Sequence, residues 1–110
     1  MNPDHSTPND FPKENHHIMT LRRMTEYDFE TRKKTIRNAA SNFISKPKVR
    51  EVVFREKGFK CYLCGDPATQ IDHKISALRF AMDKRLDIRQ LNSFENLFPI
   101  CAHCNSSKLP

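Results

Sequence analysis

Tryptophan is absent from this 110-residue chain, and only two glycines, Gly58 and Gly65, are present. No stretch approaches the ~20 apolar residues of a membrane span. The first residues are rich in Pro, Asn and His without an apolar run, so no secretory signal is expected and the expected location is the cytoplasm. There are no internal repeats. Acidic residues are the minority, 13 against 19 Lys and Arg, for a net charge of +6. That balance suits a polyanionic partner. A hydrophobic share of 37% and a mean hydropathy of −0.72 allow one small domain. Small cores commonly need a staple, and a structural metal is one.

The four cysteines are the natural candidates. They form two Cys-x-x-Cys pairs, Cys61/Cys64 and Cys101/Cys104. In a reducing compartment such pairs are expected to be metal ligands and not disulfides. A redox role would need a βαβ context around one pair, and none is visible. Four thiolates close every position of a tetrahedral zinc ion, so the site is expected to be structural. Cys64 and Cys101 are further apart than the ~15–20 residues of a compact zinc ribbon. Something must therefore be held inside the clamp.

Ahead of the clamp, residues 1–20 show no period and are expected to form a flexible tail. His16-His17 within it is read as solvated in preference to metal-binding. Residues 21–58 are expected to be a helical extension. Thr25 and Asp28 resemble a capping box for a helix reaching Ile44, with Tyr27, Ile36, Ala39, Ala40 and Phe43 as an incomplete apolar stripe. Its basic run, Arg32 to Arg37, is either a solvated face or a phosphate contact. Pro47 suits the first turn of a second helix ending near Lys57, with Gly58 as its stop.

Residues 59–110 hold the candidate chemistry. Cys61 to Gly65 reads as a zinc knuckle, with Gly65 easing the tight turn. Residues 68–75 are a strand candidate. Ser76 to Leu91 is a basic segment with room for a short helix, serving as a DNA-facing loop or as a connector. Phe94 to Ile100 returns as a loop and short strand, and Pro99 implies an edge position. Cys101 to Lys108 is expected to begin a helix.

Inside the bracket, Asp72-His73 offers a carboxylate for a hard cation and an imidazole that is partly neutral near its ordinary pKa of ~6.5. Adjacent strand residues face opposite ways, so a shared site needs a bend or strand end here. On the expected last helix, Cys101, Asn105 and Lys108 share a face. His103 lies about 200° around the helix from Asn105 and cannot replace it.

The pattern Asp-His, then Glu95-Asn96-Leu97, then Cys-x-x-Cys-Asn-x-x-Lys resembles the HNH nuclease family. The likeness covers about Lys60 to Lys108. It implies an α+β fold: a small ββα-metal core with a structural zinc, and N-terminal helices packed on it. It also implies a DNA endonuclease that hydrolyses phosphodiester bonds, with His73 as general base and Asp72 and Asn105 holding one divalent ion. Asn96 would fix the loop and orient His73, and the cleaved ends would be 5′-phosphate and 3′-hydroxyl. The family often has His where Asn105 stands, and Pro soon after the Asp-His pair, which DHKIS lacks. An amide oxygen beside a carboxylate favours Mg²⁺ or Mn²⁺ over softer ions. Lys108, Arg79, Arg85 and Arg89 are candidates for phosphate contacts. A homodimer would turn nicking into double-strand cutting, but the sequence marks no interface. The rival reading is a non-catalytic zinc module binding nucleic acid or protein. Against it stands Asp72, since a pure binding module has no need of a carboxylate facing a polyanion.

Overall fold

A computed structural model describes residues 7–13 and 29–108. Among these residues the architecture is α+β, with four α-helices and one two-stranded antiparallel sheet. The order is α1 (Phe29–Ile44), α2 (Pro47–Lys57), β1 (Gln70–His73), α3 (Ala77–Met82), β2 (Leu97–Ile100) and α4 (Ala102–Ser107). Two short 3₁₀ turns, Ile88–Gln90 and Phe94–Asn96, lie between α3 and β2. The Thr25/Asp28 capping box and His16-His17 lie outside the described residues.

Helix α1 buries Ile36, Ala39, Ala40 and Phe43, the i, i+3, i+4, i+7 positions of one face. Ile36 and both alanines pack on Phe80, Ala81 and Leu91, so α1 covers α3 and the turn that follows it. Lys46 is extended (φ −70°, ψ 129°), as a residue before proline prefers, and Pro47 opens α2. Val49, Val52 and Val53 are wholly buried. Each such side chain stabilises the fold by roughly 1.5–3 kcal/mol. Gly58, at φ +88°, ends α2 and donates its N–H to Phe54 O at 2.8 Å. A residue with a Cβ rarely adopts that conformation.

Residues 7–13, expected to belong to a loose tail, lie against the core instead. Phe11 is buried and meets Phe43 and Phe94 edge-to-face, with ring centroids 5.7 and 5.4 Å apart. Asp10 pairs with Arg55 at 2.8 Å, and Thr7 bonds Glu95. One aromatic side chain in an otherwise polar segment anchors it.

The sheet is shorter than the expected 68–75 strand. Its register pairs Gln70 with Ile100, Ile71 with Pro99, Asp72 with Phe98 and His73 with Leu97. The ladder stops after His73 because the next N–H groups turn to Asn96: Lys74 N–H to its backbone oxygen at 2.8 Å, Ile75 N–H to its side chain at 2.7 Å. Before Gln70 the chain pairs with the first knuckle, Ala68 N–H bonding Phe59 O at 2.7 Å. Pro99 has no N–H to give, and its carbonyl accepts from Tyr62 N–H at 3.0 Å. The sheet thereby joins the cysteine knuckle on one side and α4 on the other.

Candidate metal centre and the polar sites beside it

Two tight turns bring the cysteines together. Gly65 takes φ +84° and bonds Cys61 O at 2.9 Å, closing the first knuckle. Cys101 caps α4, its sulfur accepting the Cys104 N–H at 3.4 Å. All four Sγ atoms lie within 4.8 Å of one another, and none is in a disulfide. The Cys64 and Cys101 sulfurs are 3.7 Å apart. That is far beyond an S–S bond of ~2.05 Å. It matches the ~3.8 Å edge of a tetrahedron with Zn–S bonds of ~2.3 Å. The Cys101 and Cys64 sulfurs push the Cys104 thiol up to about 12. The Cys61 thiol goes the other way: desolvation opposes it, but backbone N–H groups bring it down to about 6, so the four sulfurs hold their protons unequally. The four residues fit a zinc ion by distance, donor type and count, and the cluster could hold one.

A second polar group lines the seam between β1 and α4. Gln70 and Asp72 share one face of the strand, two residues apart. Asn105 lies in the last turn of α4, and Lys108 is the extended residue that ends it. They meet in order: Asn105 Nδ2 donates to Gln70 Oε1 at 2.6 Å, and Lys108 Nζ to Asp72 Oδ2 at 2.5 Å. Lys108 also donates to His73 O at 2.8 Å. The Tyr62 hydroxyl, from inside the first knuckle, donates to the same Asp72 Oδ2 at 2.6 Å. Asp72 and Asn105 are thus on one seam, without bonding each other. Among the described residues the cysteine group is the one cluster of three or more His, Cys, Asp or Glu that could hold a metal. The seam instead offers one carboxylate and two amides, all oxygen donors of the type hard cations take. The Lys108 ammonium already rests on the carboxylate and neutralises it.

His73 occupies the other face. The strand ends at His73 and the chain bends over Lys74 and Ile75, as expected, yet within β1 Asp72 and His73 still point opposite ways. Asp72 faces Tyr62 and Lys108; His73 is only 8% exposed. Its Nε2 is 2.7 Å from Asn92 Oδ1. Asn92 is 1% exposed and donates its Nδ2 to Ala39 O at 3.4 Å, which leaves its carbonyl toward the ring. On that network His73 Nε2 is the donor, and in the neutral ring the lone pair is on Nδ1. Burial lowers the His73 pKa below its ordinary 6.5, against the opposing pull of Asn92 and Asp72, so the ring is neutral at pH 7.

Asn96 clamps the loop after His73. Its Oδ1 accepts from Ile75 N–H at 2.7 Å, and its Nδ2 donates to Leu91 O at 2.8 Å and Ile75 O at 3.1 Å. It holds the loop as expected, but the direct partner of the imidazole is Asn92. Lys57 secures this turn from α2, donating to Phe94 O and Leu97 O, both at 2.6 Å. Its ammonium lies 4.2 and 3.9 Å from the Phe94 and Phe98 ring centroids.

The basic candidates divide. Arg85 is bonded to Asp83, and Arg89 to Asp87, each two residues upstream. Both pairs lie at the surface, where such contacts are weak. Arg79 lies on α3, its backbone N–H capped by Ser76. Lys108 is turned onto Asp72, and not outward. Three contributors escape a reading of motifs: Asn92, Tyr62 and Gln70. Gln70 was legible as the same-face neighbour of Asp72. Tyr62 had only its place inside a knuckle, and Asn92 had no local signal.

Comparison of the chain with protein-family models, with curated proteins and with solved structures finds no match. Among the described residues, no helix is long and apolar enough to cross a membrane.

Proposed function

We propose that the chain is a metal-dependent DNA endonuclease of the HNH type. In this reading the unit β1–β2–α4 serves as the ββα-metal core, and zinc on Cys61, Cys64, Cys101 and Cys104 is its staple. The observation that carries it is an imidazole whose Nε2 is pinned by Asn92, next in sequence to a carboxylate that meets Lys108 at the end of α4, two residues along the same strand face from the Gln70–Asn105 bond. In-line attack on phosphorus has a use for adjacent side chains leaving a strand end in opposite directions, since base and ion act from opposite sides. His73 takes a proton from water through Nδ1, and Asn92 holds the ring in that tautomer. Asn96 fixes the loop through which the phosphate approaches. Asp72 and Asn105 would hold one Mg²⁺ or Mn²⁺, which would supply Lewis-acid stabilisation of the phosphate and the leaving 3′ oxygen. Lys108 then turns from the carboxylate to phosphate. The net charge of +6 favours DNA as the polyanion.

One observation favours a second reading, a zinc-stapled module that binds nucleic acid without cutting it. His73 is buried, and Asp72 is already neutralised by Lys108. Plasmid nicking by the zinc-loaded protein across Mg²⁺, Mn²⁺, Zn²⁺ and EDTA separates the two. The nuclease nicks with Mg²⁺ or Mn²⁺ and stops in EDTA. The binding module retards plasmid on a gel and leaves it supercoiled under every condition.

A further inference from the structure

We propose that Tyr62 is a positioning residue for the divalent-ion site, and that through it the zinc knuckle sets the aim of Asp72. This rests on the endonuclease reading. Tyr62 stands between two cysteines of the metal cluster, so its backbone is held by the knuckle: Cys61 N–H bonds Asp66 O at 2.7 Å, and Tyr62 N–H bonds Pro99 O at 3.0 Å. Its ring stacks on Phe98, centroids 5.0 Å apart and planes 26° off parallel. Phe98 is the cross-strand partner of Asp72. A ring fixed by both contacts delivers its hydroxyl to Asp72 Oδ2 at 2.6 Å. The same oxygen accepts Lys108 at 2.5 Å, from the extended residue that ends α4, four past Cys104. Both contacts therefore fall on one oxygen of the carboxylate, which leaves Oδ1 outside them, on the seam that also carries Asn105.

The two grips differ in kind. The phenol is neutral and orients the carboxylate with no charge to repel an incoming ion. The ammonium competes with it. Removing the first should weaken ion binding, and removing the second should strengthen it, whereas a purely structural role would weaken binding or leave it unchanged in both.

The test uses the full zinc-loaded chain and Mn²⁺, whose free concentration is read by electron paramagnetic resonance. In Tyr62→Phe the stack on Phe98 and the zinc content are kept, and Mn²⁺ affinity falls roughly 3- to 10-fold, the weight of one hydrogen bond to a charged group. The Mn²⁺ concentration for half-maximal nicking rises in proportion, while the rate at saturating Mn²⁺ stays within about twofold. In Lys108→Met, Mn²⁺ binds more tightly. A second measurement needs no variant at position 62. Tyr27 and Tyr62 are the two tyrosines, so 3-fluorotyrosine labelling gives two ¹⁹F signals, assigned with Tyr27→Phe. The Tyr62 signal shifts on Mg²⁺ addition and saturates with ion binding. A parent that binds Mn²⁺ and nicks, with Tyr62→Phe affinity unchanged or a ¹⁹F signal that ignores Mg²⁺, overturns the role of Tyr62 and leaves the nuclease reading standing. A parent that neither binds Mn²⁺ nor nicks overturns both.

Discussion

His73 and Asn92 form a buried pair, Nε2 to Oδ1 at 2.7 Å, between the end of β1 and the turn that precedes Phe94. The pair fixes which imidazole nitrogen carries the proton. Long-range ¹H–¹⁵N spectra at pH 7.5 should show His73 as the Nε2–H tautomer. Asn92→Ala leaves that N–H buried without an acceptor and should cost about 1–3 kcal/mol, read from urea unfolding with zinc present. An Nδ1–H tautomer, or an Asn92→Ala protein as stable as the parent, would show that the pair is not formed in solution.

A general base works only when neutral, so the acid limb of the nicking rate reports its pKa. Burial holds the His73 pKa below 6.5. The rate at saturating Mg²⁺ should therefore be above half its plateau at pH 6.5, with the half-maximal point at lower pH. A half-maximal rate at pH 6.5 or above is the adverse result.

Zinc on the four cysteines is expected at one ion per chain by elemental analysis. Because binding and folding are coupled, and such sites carry apparent binding energies of about 10–16 kcal/mol, Cys104→Ser should lose both zinc and the cooperative thermal transition. A strong chelator should do the same to the parent. A folded Cys104→Ser protein without zinc would remove the staple from the account.

Lys57 gives stability a pH dependence of its own. Burial lowers its pKa from 10.5 to about 8 in the folded chain. Between those values the unfolded chain binds more protons, so stability rises with pH across that window. Below pH 8 the ammonium is charged in both states, and the cost of burying it is fully present. The urea midpoint of the parent should therefore increase from pH 7 to pH 9.5 relative to that of Lys57→Met. Parallel midpoints would mean that the two carbonyls and two rings around the ammonium offset its burial.

Much of this organisation was legible because it is written locally. Pro47 and Gly58 delimit α2 by their backbone constraints, and the cysteine spacing foretold the cluster. The four-residue step from Cys101 to Asn105 runs along α4 as expected, whereas Lys108 falls just past the helix, extended, and reaches Asp72 from there. What was missed depends on contacts between distant segments. Phe11 enters the core from a segment whose composition reads as disordered. Asn92 finds His73 only because α1 and α3 pack on the same turn. Arg85 and Arg89 each fold back at the surface on an aspartate two residues away, a contact that a count of charges does not show. Period-2 alternation set a condition on Asp72 and His73, a bend or a strand end; β1 does end at His73, and the two side chains still lie on opposite faces.

The most direct test of the central claim is plasmid nicking by His73→Ala beside the parent, both zinc-loaded, in Mg²⁺ and in Mn²⁺. With His73 as the base, the variant should keep its zinc and its circular dichroism and lose about 10²-fold or more in rate. A folded variant that cuts at the parent rate would contradict the account.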